Sequence, residues 1–368
     1  MRKHYLASGV AAIALTISLP AVAGQGGGGS ADDSATITQV GGAGNFASQH
    51  QPGGNDGNTA AITQTSAVNS KATQEQWRNL NGVDFAIGSK QTITQTGTNG
   101  SVASQQDNGI GGDVQNATQT GTGLSGGVAT TVTQTVNSPF GSNNTQTSTQ
   151  TNSNGSTVSQ TIGVATPGTA VFTKNSQTAT QSGQTLSSIT QTIDGTGSAT
   201  YTNNNQTGSE TGTGAGNSIS QTILSSNNDT QLATISGASS ANTITQSQQT
   251  GSHNESQMAS INNGSFNLID QLQAGGSNGN KQSVTVDASS FGRALQFQGA
   301  NVTGNSETIN QTAGGLGNQA GQGQGNNGNV ALISQTGGVG NVAIQNQGLL
   351  PGQTGFMSLS GGLVVRHP

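Results

Sequence analysis

A stretch near the C-terminus, from Asn329 to Gly348, carries the pattern that most restricts how this chain can fold. Its first arm has Ala331, Ile333 and Gln335 at every second position. A second arm alternates in the same way after the glycine-rich segment Gly337–Gly340. A period of two is that of a β-strand, whereas an α-helix repeats every 3.6 residues. The stretch therefore predicts two short strands joined by a corner.

The first arm recurs along the chain, each time as an Ile or Val placed two residues before a Gln. Eleven such residues, the anchor Gln residues, run from Gln39 to Gln335, and successive ones are 24 to 40 residues apart. A repeat of this length with two short strands per unit is typical of a solenoid. We therefore predict an all-β solenoid of stacked strand–corner–strand repeats with about 11–13 rungs. In this prediction each anchor Gln belongs to the first strand of its unit.

The upper limit of that rung count comes from the two longest intervals between anchor Gln residues. The third interval is 39 residues long and the ninth is 40. The third contains an alternating segment of its own at 115–119, and the ninth contains two, at 284–286 and 294–298. These segments indicate up to two further units.

Polar residues at the inward positions fit such a stack. Equivalent positions in successive units lie about 4.8 Å apart, so an inward Gln or Asn hydrogen-bonds to the same amide above and below it. Ile and Ala fill the remaining interior, and Thr and Ser face outward. Most charged residues are expected in corners or outward, as for Asp270. The predicted structural ladder consists of Ile37, Gln39, Asn45, Ala47, Gln51, Ile62, Gln64, Ile93, Gln95, Gln134, Gln160, Gln191, Gln221, Gln246, Gln271, Gln311, Asn329, Ile333, Gln335, Asn341, Ala343 and Gln347.

An ordinary apolar core cannot be built from this composition. Hydrophobic residues make up 29% and charged residues 6% of the chain, against roughly half and a quarter in globular domains. Disordered chains combine low hydrophobicity with high charge, whereas Gln- and Asn-rich chains of low charge form β-aggregates. The net charge of −5, without a cluster of Lys and Arg, argues against a nucleic-acid partner. The absence of Cys excludes disulfides and thiolate chemistry.

The first 23 residues have the layout of a secretory signal peptide. Arg2 and Lys3 precede an apolar run that ends in the small residues of Pro20–Ala23, so cleavage is expected after residue 23. The run is shorter than the ~20 apolar residues that a membrane-spanning helix needs. We divide the rest of the chain into a Gly-rich flexible leader over 24–34, a repeat solenoid over 35–348 and a C-terminal tail or cap over 349–368.

The order Ile-x-Gln-x-Gly followed by Asn-x-Ala-x-x-x-Gln resembles the curlin repeat of curli subunits. It is clearest from Ile37 to Gln51 and again from Ile333 to Gln347, and a looser copy runs from Ile309 to Gln324. The resemblance covers most of residues 35–348, and a signal peptide followed by a Gly-rich leader is also similar to the layout of that family. Corners are longer and repeats more numerous here than in that family.

The resemblance implies a secreted structural subunit that self-assembles into extracellular, cell-surface amyloid fibres for adhesion and biofilm matrix. It also implies three partners: further copies of the chain, a related fibre subunit or nucleator, and an outer-membrane secretion channel. The edge strands support self-assembly independently of the resemblance. An uncapped stack has unpaired backbone groups at both ends, and such edges pair with another copy.

Another interpretation also fits the sequence. Thr on both sides of the inward Ile, as in Thr36–Thr38 and Thr92–Thr94, is similar to the grids of ice-binding solenoids. The alternative function is therefore a monomeric surface-binding solenoid, either ice-binding or a passive adhesin. We find no catalytic motif around His50, His253 or His367 and no phosphate-binding loop. We accordingly predict no enzyme activity and assign no catalytic, metal or cofactor residues.

Overall fold

Strands account for every regular element in the part of the chain that the structure describes. These ranges accordingly hold no apolar helix of membrane-spanning length. The predicted signal peptide, residues 24–33 of the predicted leader, most of the predicted tail and Gln51 lie outside them, whereas the last leader residue, Ser34, begins a strand. A computed structural model describes residues 34–50, 57–76, 88–109, 111–137, 141–163, 170–195, 200–312, 314–348 and 363–367.

Two long parallel sheets share almost all of the strands. The first sheet has 12 strands and the second has 13. In sheet order, the first sheet consists of β1 Ser34–Val40, β3 Thr59–Thr65, β5 Lys90–Thr96, β7 Val114–Thr120, β9 Thr145–Thr151, β12 Ser176–Thr185, β15 Asn205–Ala215, β17 Thr230–Ser236, β19 Ser256–Asn262, β21 Lys281–Asp287, β23 Ser306–Thr312 and β25 Val330–Thr336. The second consists of β2 Phe46–His50, β4 Lys71–Gln76, β6 Val102–Asp107, β8 Thr131–Asn137, β10 Thr157–Gly163, β13 Ser188–Asp194, β16 Ser218–Leu224, β18 Thr243–Gln248, β20 Leu268–Gln273, β22 Arg293–Gln298, β24 Gln319–Gln324, β26 Val342–Gln347 and β27 Leu363–His367.

The chain winds back and forth between these sheets, so that each rung contributes one strand to the first sheet and one to the second. Successive rungs pair in parallel without a shift of register in most places, as between β1 and β3, where Ile37 is opposite Ile62. Twelve rungs result from the 12 strands of the first sheet. The predicted β-solenoid is therefore confirmed, and its rung count lies within the predicted range.

Corners between the two strands of a rung depend on backbone angles that most residues avoid. The segment Gly337–Gly340 joins β25 to β26, and Gly337, Gly338 and Gly340 all have positive φ angles of 63° to 82°. Glycine adopts this left-handed region at little cost because it has no Cβ. The corner therefore lies where the sequence pattern predicts it.

A wider connection occurs in the middle of the solenoid, where a small third sheet forms. Its two strands, β11 Val171–Thr173 and β14 Thr200–Thr202, pair in parallel. Phe172 and Tyr201 lie on these strands with their ring centroids 5.3 Å apart, and both pack against buried Ile side chains such as Ile193. Longer corners thus gain a small apolar core of their own.

The prediction that every anchor Gln lies in the first strand of its unit is wrong. Both sheets carry the same motif, so the spacing pattern alone does not distinguish them. The two longest intervals mark the positions where the anchor moves from one sheet to the other. Anchors in the second sheet are Gln134, Gln160, Gln191, Gln221, Gln246 and Gln271.

This change of sheet follows the side-chain sizes in the interior. In the second rung Ile62 of the first sheet is matched by Ala72 of the second, whereas in the eighth rung Ala233 of the first sheet is matched by Ile244. Gly208 is the extreme case, because a Cβ added there would lie 2.8 Å from Ile189 Cγ2. One large residue and one small residue therefore fill each rung, and the motif follows the large one.

Exchanging the large and the small inward side chain of one rung tests this arrangement. Ile244→Ala should lower the free energy of unfolding by about 2–5 kcal/mol because it leaves a cavity. Ala233→Ile should lower it by about 1–3 kcal/mol because it overpacks the same space. The double variant should recover most of the loss, measured by urea unfolding of the soluble chain with circular dichroism. A double variant that loses the sum of the two single effects would contradict the size matching.

Candidate functional site

The most regular chemical feature of the interior is a column of Gln side chains along the first sheet. It begins at Gln39, whose Nε2 donates to Gln64 Oε1 at 2.6 Å, and each rung repeats this bond up to Gln181. Three rungs with apolar residues interrupt the column before Gln311 Nε2 donates to Gln335 Oε1 at 2.9 Å. Every amide in the column donates toward the C-terminal rung, so the column has a direction.

The second sheet carries an uninterrupted column from Gln49 to Gln322 with the same direction. Its donor–acceptor distances are 2.7 to 3.0 Å. From Gln49 to Gln296, each Nε2 also donates to a backbone carbonyl of the first sheet, as Gln74 does to Ala61 O at 3.1 Å, whereas Gln322 Nε2 has no partner among the described residues. These amides therefore hold the rungs in register and also join the two sheets.

Two further Gln columns are absent from the set predicted from the sequence, except for Gln347 at the end of the second one. One runs along the first sheet from Gln91 to Gln282, and the other joins Gln248 to Gln347 in the second sheet. In the sequence, the Gln91-to-Gln282 column is marked by a Gln that lies four residues before the inward Gln of the same strand, as Gln91 lies before Gln95. Sequence reasoning missed it because the Ile-x-Gln motif covers only one of the two.

Asn residues form similar columns just before the strands. Asn204 N donates to Asn175 Oδ1 at 3.0 Å ahead of the first sheet, and Asn267 N donates to Asn242 Oδ1 at 2.9 Å ahead of the second. The predicted Asn45 takes part in this way, because its Oδ1 accepts from Ser70 N at 3.1 Å. The Asn columns therefore satisfy backbone amides at the corners, where no strand partner is present.

The predicted ladder residues divide by their distance from the ends of the stack. In the inner rungs, they are buried: Ile62, Gln64, Ile93, Gln95, Gln134, Gln160, Gln191, Gln221, Gln246, Gln271 and Gln311. Ile333 and Gln335 of the last rung are also buried. The end-rung residues Ile37, Gln39, Ala47, Asn45, Asn329, Ala343 and Gln347 are half-buried, and Asn341 is exposed. The end rungs thus present part of the interior to solvent.

Several carboxyl groups lie inside the stack, against the prediction that charged residues fall mostly in corners or outward. Glu210 and Glu307 each end a Gln column, accepting from Gln181 at 2.9 Å and Gln282 at 3.0 Å. The next rung has Ile235 or Ala331 at these positions, so a donor there would lack its partner. Each carboxyl group accepts from the rung below through Oε2 and so ends the column, while its Oε1 has no hydrogen-bond partner among the described residues. Asp270 does face outward as predicted.

Burial changes the acid–base behaviour of these groups. Burial raises the pKa of Glu210 to about 8, and the pKa of Glu307 lies well above its usual value for the same reason. Burial and the charge of Asp229 raise the pKa of Glu255 to about 8. In the folded chain these carboxyls are therefore protonated near neutral pH, which avoids the cost of a buried charge.

The described residues contain no group of three or more His, Cys, Asp or Glu side chains placed to hold a metal ion. The interior is instead occupied by amide columns and narrow apolar packing, which define a structural β-solenoid repeat. No protein-family model matches the chain, and no curated protein matches it either.

A pH titration tests the buried carboxyls. The folded pKa of Glu210 is about 8 and lies above the ordinary value of 4.5, so folding takes up a proton between these values. Stability should therefore be greatest below pH 4.5 and should fall as pH rises through 8. Glu210→Gln should flatten this decline, measured as the urea midpoint from pH 4 to 9.

The control for that titration is Asp287→Asn, which also removes one negative charge but from the half-buried end of β21. The decline of the midpoint with pH that Glu210 causes should remain in this control. An identical slope in the wild type and in Glu210→Gln would show that the carboxyl of Glu210 does not titrate as described.

Proposed function

We propose that this chain is a secreted structural subunit that self-assembles into extracellular, curli-like amyloid fibres for adhesion and biofilm matrix. The observation that carries the proposal is a match between the two ends of the solenoid. Secretion rests on the signal-peptide pattern of residues 1–23, and the family rests on the resemblance of the repeats. Further copies of the chain are its principal partner.

The first and last rungs have the same residue types at five inward positions of their two strands and at the Asn just before the second strand. The first rung has Ala35, Ile37 and Gln39 in β1, followed by Asn45, Ala47 and Gln49. The last rung has Ala331, Ile333 and Gln335 in β25, followed by Asn341, Ala343 and Gln345. Both rungs have the large residue in the first sheet and the small residue in the second. A last rung therefore matches the first rung of another copy, as Ile37 matches Ile62 within the chain.

Hydrogen-bond direction also agrees with end-to-end stacking. Gln64 Nε2 donates to Phe46 O, Ser70 O and the next amide, Gln95 Oε1. Gln335 Nε2 makes the two equivalent backbone contacts, to Gln319 O at 2.9 Å and to Asn341 O at 3.2 Å. In the first sheet, Gln335 of the last rung therefore has the arrangement of an inner-rung Gln, with an amide that can donate to a following Oε1. The first rung begins the column with the complementary acceptor, Gln39 Oε1.

One strand partly covers this C-terminal end. β27 pairs in parallel with β26, so the edge of the second sheet has a backbone partner within the chain. The edge of the first sheet ends at β25. Stacking of a second copy through both sheets therefore requires β27 to leave β26. A related fibre subunit or nucleator and an outer-membrane secretion channel are the further partners that the family resemblance implies.

Assembly of the purified chain without its signal peptide tests the proposal. The chain should sediment as fibres and give cross-β reflections at about 4.7 and 10 Å, which correspond to the spacing of strands and of packed sheets. A chain that stays monomeric at high concentration would contradict the proposed function. Gln335→Glu should slow seeded growth by about tenfold, because unpaired polar groups at a buried junction cost about 1–3 kcal/mol.

Gln335→Glu should keep the monomer folded, because Glu307 already ends a column in this way by accepting from Gln282. The matched control is Ser334→Glu, which adds the same charge to the exposed outward side of the same strand. Growth should be close to wild type in the control. Equal slowing by both variants would indicate a general charge effect rather than a break in the amide column.

Removal of residues 349–368 tests the role of β27. Without β27, the backbone of β26 is free to pair with the first rung of another copy, so the lag before fibre formation should shorten. The measurement is the lag time of unseeded assembly at equal protein concentration. A longer lag than that of the full chain would mean that β27 belongs to the growing face, which contradicts direct stacking of the last rung on the first.

Outward Thr residues support a second candidate, a monomeric solenoid that binds a surface. On the first sheet, Thr63, Thr94, Thr118, Thr149 and Thr180 form one column in register over five successive rungs. A regular hydroxyl array of this kind is similar to the binding face of ice-binding solenoids. Thermal hysteresis from a chain that stays monomeric would favour this candidate, whereas fibres without hysteresis favour the first.

A further inference from the structure

The corner between β6 and β7 brings together three buried oxygen-bearing side chains. Asp107 ends β6, Asp113 immediately precedes β7, and Ser89 precedes β5 one rung earlier. Lys90 N donates to Asp113 O at 2.8 Å, which places Ser89 and Asp113 on neighbouring levels of one column. Each of the three side chains is only 1% exposed. The corner therefore encloses two carboxyl groups and one hydroxyl group away from water.

One oxygen of each carboxyl group is fixed by the corner itself. Asp107 Oδ1 accepts from Gly109 N at 2.8 Å. Asp113 Oδ1 accepts from Asn144 N at 2.7 Å and from Asn144 Nδ2 at 3.1 Å. These bonds hold both carboxyl groups in place and orient them.

The other oxygens lack regular hydrogen bonds. Asp107 Oδ2, Asp113 Oδ2 and Ser89 Oγ have no partner of normal geometry in the part of the chain that the structure describes. The Ser89 hydroxyl and the Asp113 carboxyl both lie close enough to the Asp107 carboxyl to influence its pKa, which burial raises. Burial and the Asp107 charge together raise the pKa of Asp113 to about 8. Because the Asp107 and Asp113 carboxyl groups interact with each other and with the Ser89 hydroxyl away from water, both can be ionised only if a cation joins them; otherwise they share a proton.

The corner makes room for these carboxyl groups with a glycine. A Cβ added to Gly109 would lie 1.9 Å from Asp113 Oδ2 and 3.0 Å from Asp107 Oδ1. No side chain fits in that space without moving a carboxyl group. The backbone of the corner therefore passes directly beside both acids.

Other buried acids in the stack differ from this pair. Asp229 Oδ2 accepts from the hydroxyl groups of Ser226 and Ser252, and its Oδ1 accepts from Glu255 N at 2.9 Å. Its two oxygens are thus satisfied within the chain. Single carboxyl oxygens without a partner also occur at Glu210 and Glu307, whereas the corner between β6 and β7 has two acids and one hydroxyl group with such oxygens.

We propose that this corner binds one divalent cation of the calcium class through Asp107 Oδ2, Asp113 Oδ2 and Ser89 Oγ. Two carboxylates balance the double positive charge, and oxygen is the ligand type that Ca²⁺ and Mg²⁺ take in proteins. Ca²⁺ accepts six to eight oxygen ligands, and the remaining ones come from backbone carbonyl groups of the corner and from water that enters with the ion. The ion would join the third and fourth rungs and replace the proton that the two acids otherwise share.

Calcium titration of the purified chain tests the proposal. Calorimetry at pH 7.5 should give one saturable Ca²⁺ site per chain, and added Ca²⁺ should raise the urea midpoint because it binds only the folded form. Asp113→Asn should weaken binding at least about tenfold, because it removes one of two ligand charges. This variant should fold, because Asn144 and Asn175 occupy the same column position in the following rungs.

Asp229→Asn is the matched control, since it neutralises a buried acid of the same column whose oxygens already have partners. It should bind Ca²⁺ as the wild type does. Without Ca²⁺, Asp113→Asn should be at least as stable as the wild type, because it removes one of two facing acids. The proposal is overturned if neither Ca²⁺ nor Mg²⁺ gives saturable binding at millimolar concentration, or if Asp113→Asn binds as tightly as the wild type. Neither result depends on whether the chain forms fibres.

Discussion

The structure depends on one interaction, the hydrogen bond from a Gln Nε2 to the Oε1 of the same residue one rung further along. A primary amide has both a donor and an acceptor, so identical side chains satisfy each other when they stack at the strand spacing of about 4.8 Å. A chain that is only 29% hydrophobic can therefore form a dry interior. The amides replace most of an apolar core, and they also fix the register, because a shift by one residue would turn them outward.

All amides of a column donate toward the C-terminal rung, and this direction limits which residues can follow in the next rung. Each column needs an acceptor at every level and leaves a donor unused where the next level is apolar. Glu210 and Glu307 each end a column by accepting from the rung below through Oε2, and the Oε1 of each has no partner among the described residues. Their burial raises their pKa and makes the fold sensitive to pH. These two acids are therefore part of the Gln columns, although charged residues are rare in the chain as a whole.

The sequence predicts the β period, the stacking and many of the interior residues, because Ile-x-Gln in alternation directly encodes an inward pair. It does not predict which sheet a given pair belongs to. Ile62-x-Gln64 and Ile189-x-Gln191 have the same local pattern and lie in different sheets, because the opposite strand decides which of them holds the large residue. The Asp107–Asp113 cluster was also missed. It depends on a corner that folds two acids six positions apart against each other, and no periodic signal marks such a pair.

The distribution of variation along the stack agrees with the proposed assembly. Inner rungs differ widely: Ile235 and Ile261 replace Gln in one column, and Gly208 occupies a position that is Ile elsewhere. Such rungs tolerate change because the chain itself holds each one beside its neighbours at a high effective concentration. An end rung that must recognise a separate copy lacks this advantage, so its fit has to come entirely from its side chains. The first and last rungs agree at five inward positions and at the Asn before the second strand, and each rung between them differs from both at one or more of these positions, which is what selection for end-to-end recognition would produce.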